Sequence, residues 1–200
     1  MNTEQGNTGV QVLAGLGGAG LPGLVAGADR LFFHAALYSN FARDRAMVDA
    51  LDVAMARPEF ERCDMVSLDP RTGADWWDEF RGALRQDMPA STLQREFAAS
   101  AAFLDALAAR HPQKVRLYLT AALPLAPILL VGNTVLAGHY LHGPVPAPLG
   151  LWLAVTADVA DLLDRAETGA GPDGLPPTAV GAYRLVCECV AARTAARRLA

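Results

Sequence analysis

The chain has 200 residues, 52% hydrophobic and 19% charged, which excludes a disordered polymer and favours one well-buried core over two full domains. A formal net charge of -4 offers no clustered basic face for phosphates, so no nucleic-acid partner is expected. Lys114 is the only lysine, which removes Schiff-base and phosphate-binding lysine chemistry from every other position.

Residues 1–20 read as a flexible Gly-rich N terminus. Gly15, Gly17 and Gly20 satisfy the spacing G-x-G-x-x-G of a dinucleotide-binding turn. Pro22 and Gly23 interrupt the long helix such a turn must open, so the segment is expected to be a Gly-rich entry to a short helix. Residues 31–38 (LFFHAALY) form a short apolar run with aromatics and predict a buried strand. In 44–56, Met47, Leu51, Ala54 and Met55 recur at helical spacing, and Pro58 ends the pattern. A second strand is predicted over 65–68, followed by a turn over 69–73.

Trp76, Trp77, Phe80 and Leu84 predict a helix reaching toward Gln86, with Asp75, Asp78 and Glu79 complementing the dipole of its first turn. Ser91 and Gln94 form a capping-box pattern ahead of a helix carrying Phe97, Ala101, Leu104 and Ala108, which stops near His111 and Pro112. His111 meets free carbonyls at that end and reads as structural. Residues 115–120 alternate as a strand, 128–131 and 134–139 form a hairpin around Gly132 and Asn133, and 151–155 make a further strand. A helix over 159–167, a turn-rich linker over 169–177 and a final helix over 182–199 complete the chain. Arg193, Arg197 and Arg198 suit the dipole at that last helix's C-terminal end.

No Asp, Glu, Lys or Arg occurs between Arg116 and Asp158, which raises membrane association through 121–157 as one functional reading. Prolines at 124, 127, 144, 146 and 148, with glycines at 132, 138 and 143, break every window that would supply a spanning helix, so buried strands are expected instead. The three cysteines Cys63, Cys187 and Cys189 are an odd number without metal-ligand spacing, no signal-peptide pattern opens the chain, and a cytoplasmic location is expected. His139 and His142 stand at H-x-x-H spacing, but strand alternation and the following Gly143 and Pro144 place them apart, so no metal is assigned. No cofactor is strongly implied.

Two segments carry a family resemblance. Residues 21–57 order a short helix, a strand and a helix in which "ALxxAxxR" stands as Ala50, Leu51, Ala54 and Arg57. Residues 114–142 (KVRLYLTAALPLAPILLVGNTVLAGHYLH) order a strand, a gap and a hairpin. Together they resemble a phospholipase D-like half, whose H-x-K-x4-D signature would fall around Leu125, Ala126 and Pro127, with Gly132 and Asn133 near its Asp and Gly138 and His139 near its Gly-Ser pair. The resemblance implies an α/β fold with a mixed sheet flanked by helices over 21–168, and 169–200 as linker and C-terminal helix. It also implies lost phosphodiester chemistry, because the histidine nucleophile and the lysine that stabilises phosphoryl oxygens are both replaced.

The leading expectation is therefore a degenerate domain acting in binding, regulation or assembly, as a homodimer or with a protein partner. Trp76, Trp77, Tyr183, Val186 and Val190 are the interface candidates. The alternative is a small-molecule enzyme using His34, His139 and Tyr140 at the strand ends, with Asn40, Asn133 and His142 binding the ligand.

Overall fold

The computed structural model describes residues 9–84, 89–140 and 145–199. Along the chain the strands are β1 (Val10–Ala14), β2 (Arg30–His34), β3 (Arg62–Leu68), β4 (Val115–Thr120), β5 (Ile128–Val131), β6 (Thr134–Gly138), β7 (Leu151–Thr156) and β8 (Arg197–Arg198). The helices are α1 (Leu21–Gly27), α2 (Ser39–Arg43), α3 (Arg45–Ala56), α4 (Trp77–Leu84), α5 (Ala90–Arg110), α6 (Val159–Thr168) and α7 (Pro177–Ala195).

The strands form one mixed sheet in the order β1-β7-β6-β5-β2-β3-β4-β8. β2, β3 and β4 run parallel, and every other pairing is antiparallel. The inner strands are apolar on both sides because helices cover both faces. On one face Leu31, Phe33, Met65 and Leu117 share a core with Leu51 of α3 and Leu107 of α5. On the other, Phe32, Val66 and Leu130 pack with Leu162 of α6 and Val186 of α7. A third cluster at the C-terminal ends of β2 and β3 gathers Ala36, Leu68, Phe80 and Phe97. The fold class is thus α/β, a mixed sheet flanked by helices.

The uncharged segment 121–157 supplies β5, β6 and β7, and no helix among the described residues is long and apolar enough to cross a membrane. Its hairpin turns at Gly132, whose φ of 54° suits glycine. Lys114 is committed to structure: its Nζ donates to the carbonyls of Met55 and Arg57 at 2.9 and 2.6 Å, closing the end of α3.

Several elements depart from the sequence reading. Val10–Ala14, expected within a flexible N terminus, is an edge strand paired with β7 from Val10↔Val155 to Ala14↔Leu151. Gly15 then takes a φ of 96°, a 3-10 turn spans Leu16–Ala19, and α1 has only 7 residues. Because β1 lies antiparallel at the edge, the glycine motif does not follow a central parallel strand as a dinucleotide site requires.

The strand predicted over 31–38 stops at His34. Beyond it, the Ala36 and Tyr38 amides donate to the Tyr140 hydroxyl and Ser100 Oγ, at 3.0 and 2.8 Å, instead of continuing the ladder. α5 opens on Pro89, whose carbonyl accepts from Thr92 N at 2.9 Å, so Ser91 lies inside the first turn and the capping box does not form. α7 starts earlier than expected, since Pro177 in the first turn has no needed N–H to lose. It ends at Ala195, and Arg197 and Arg198 leave the helix to pair with β4.

Candidate functional site

A cavity of about 230 Å³ opens at the C-terminal end of β2, on the side of the sheet covered by α1 and α3. Its back wall comes from Leu129 of β5 and Trp152 of β7, its side from Met47 and Phe41, and its far edge from Tyr140. Crevices beyond the carboxyl ends of parallel strands are where α/β sheets commonly place ligands. Here the position follows from the early end of β2, which turns residues 35–38 away from the sheet and leaves space beside them.

Four devices hold the wall. Gly138 pairs with Trp152, and a Cβ at Gly138 would meet the indole at 2.7 Å and the Pro127 ring at 2.9 Å, so only glycine admits the tryptophan. The indole Nε1 donates to the Ala147 carbonyl at 2.8 Å, which fixes the ring. Tyr38, fully buried, shares its one hydroxyl proton between the carbonyls of Phe33 and Val66 at 2.9 and 2.8 Å. Tyr140 accepts from the Ala36 amide and sets its ring edge-on to Phe80 at 5.3 Å between centroids. The Trp152 indole N–H and the Tyr38 hydroxyl are thus turned into the protein, and most of the surface facing the cavity is hydrocarbon and aromatic.

Among the described lining residues, the only charged side chain is Asp44. Its carboxylate caps α3, accepting from Met47 N at 3.2 Å. Asn40 is the neutral polar side chain there, with Oδ1 accepting from Arg43 Nη2 at 3.2 Å. No arginine, lysine or histidine is among the described lining residues, and the Arg43 guanidinium beside Asn40 is engaged by Asn40 and Glu96.

Of the residues singled out from the sequence, Asn40 and Tyr140 meet at this cavity. His34 does not: strand alternation sends it to the same side as Phe32, the α6 and α7 side. It is buried there, its Nδ1 lacks a hydrogen-bond partner among the described residues, and burial lowers its pKa from 6.5 to about 4. His139 is exposed just past β6, with Nδ1 3.3 Å from the Tyr140 carbonyl oxygen. Asn133 sits in the β5–β6 turn, at the opposite end of the sheet, because Val131 is paired with Leu31 near the start of β2. His142 lies outside the described residues. The expected convergence of His34, His139, Tyr140 and Asn133 is therefore not formed.

The interface candidates pack within the chain. Trp76 meets Phe80 edge-on at 5.8 Å and Trp77 meets Phe97 at 5.7 Å, both rings half-buried. Val186 is fully buried against the sheet, Val190 packs beside it, and the Tyr183 hydroxyl donates to the Ala170 carbonyl at 2.6 Å.

Sequence reading missed an ionic cluster on the α6 and α7 side. Asp64, completely buried on β3, lies 2.8 Å from Arg62 Nε and 3.1 Å from Arg193 Nη1. Glu167 lies 2.8 and 3.0 Å from Arg30 and Arg193. Burial opposes its ionisation, but the bonds and charges of Arg193 and Arg30 outweigh this and hold its carboxyl below the usual range. Arg193 thus fastens α7 to the sheet instead of serving only the helix dipole.

No family model matches this chain, and no curated protein does. Several solved structures are similar to it. One is TrmBL2, an archaeal chromatin protein with a novel mode of DNA binding, at 9% identity and a TM-score of 0.43, covering 83% of this chain and 53% of that one. Another is phosphatidylserine synthase of Haemophilus influenzae Rd KW20, at 13% identity and a TM-score of 0.45, covering 96% of this chain and 46% of that one. The chain spans about half the length of these two structures.

Proposed function

We propose that this chain is a phospholipase D-like half without phosphodiesterase chemistry, working as a binding domain through the cavity at the C-terminal end of β2. The observation that carries this reading is the character of the wall where the resemblance would place the histidine and lysine. Leu125 stands there 69% exposed, Ala126 packs against the α6 and α7 core, and Pro127 lines the cavity itself. None of the three supplies a nucleophile or a charge for a phosphoryl oxygen. His34, which has the right chemistry for a general base, is buried on the other side of the sheet. A reducing, cytoplasmic setting accords with three free thiols, two of them buried in the core.

The test is hydrolysis of bis(4-nitrophenyl) phosphate by the purified chain. Nitrophenolate release at the buffer rate is expected. Saturable turnover abolished by His34→Gln would overturn the reading and restore the histidine-based enzyme.

A further inference from the structure

Resting on that reading, we propose that the cavity takes an uncharged, mainly apolar molecule of about the size of a substituted benzene or an indole. Size sets the first limit. A dry cavity of about 150 Å³ accommodates benzene, with its six non-hydrogen atoms. The 230 Å³ here scales to roughly nine on the same footing.

Chemistry sets the second. Leu129, Met47 and Phe41 offer only carbon and sulfur surface, and Trp152 and Tyr140 have their polar atoms bonded to backbone groups. A carboxylate or phosphate would lose its hydration with Asp44 as the only charge on the described lining, so desolvation disfavours anions there. A primary ammonium gains little in return, because Asp44 is exposed and its carboxylate already caps α3. Asn40 can hydrogen-bond one neutral hydroxyl or N–H, which favours a ligand with a single polar group at one end.

The experiment is calorimetric titration of the full chain with three probes of matched shape, benzyl alcohol, benzylamine and benzoate, together with indole and inorganic phosphate. Benzyl alcohol and indole are expected to bind at one site per chain, with benzylamine and benzoate at least about thirtyfold weaker and phosphate silent. Ala35→Phe, which fills the lining beside β2, is expected to abolish binding. Leu149→Asp is the second variant, since Leu149 is 69% exposed at the lining and tolerates a charge without disturbing the fold. It should weaken benzyl alcohol about tenfold.

Equal or tighter binding of benzoate, benzylamine or phosphate would overturn the ligand class while leaving a binding domain in place. Binding of benzyl alcohol unchanged in folded Leu149→Asp, or no binding by either neutral probe, would overturn the inference itself. Saturable phosphodiester hydrolysis would instead remove the reading on which it rests.

Discussion

At the scale of single residues, the histidines separate by burial and not by spacing. His34 is 2% exposed, and burial lowers its pKa to about 4, so it is neutral in the folded protein at pH 7. In the unfolded chain it takes up a proton below pH 6.5, so between pH 6.5 and about 4 the unfolded state binds more protons and stability falls as the pH falls. The full effect is about 3 kcal/mol, reached near pH 4. Urea unfolding of His34→Leu across this window should show a correspondingly flatter acid limb than the natural chain; parallel limbs would show that His34 is not held neutral. The sequence displayed His34 as a catalytic candidate because histidine type is visible and strand face is not. His34 and Phe33 are neighbours in sequence yet belong to opposite faces, and only the packing of Phe32 and Phe33 into different cores tells which is which.

At the scale of elements, the periodic segments were legible and their ends were not. Met47, Leu51, Ala54 and Met55 marked α3, and the run 115–120 coincides with β4, because both bury a face whose period is written in the sequence. The early end of β2 depends on the Tyr140 hydroxyl and Ser100, 104 and 62 residues away from the amides they accept from, and no local pattern records such partners. Long-range partners also explain α7. Its arginines suggested a dipole effect, whereas Arg193 joins Asp64 across 129 residues of sequence. Asp64→Ala should therefore destabilise the fold by about 3 kcal/mol in urea, since it leaves guanidinium groups beside an empty buried position. Adding Arg193→Met should cost less than the sum of the two single changes. A strictly additive double variant would mean that α7 is held by its apolar face alone.

At the scale of the whole molecule, the proposed function rests on what the sheet leaves uncovered. Helices close both faces over the inner strands, and one of the spaces that remain lies where β2 stops short and Trp152 crosses Gly138. The fold class was readable in the alternation of apolar runs and helical segments, and of the candidate residues the structure brings Asn40 and Tyr140 to the lining of one cavity. The cavity was not readable, because it is made by register: Gly138 and Trp152 stand 14 residues apart and become one structural unit only when β6 pairs with β7. A glycine inside an apolar strand was the available signal of a close approach.

The central claim, that this cavity is a site for an apolar ligand, is tested most directly by a crystal structure of the chain under xenon pressure. Xenon between Leu129 and Trp152, with no ordered water or anion beside it, is the result the account expects. An empty xenon map with hydrogen-bonded waters or an anion filling the same space would contradict it.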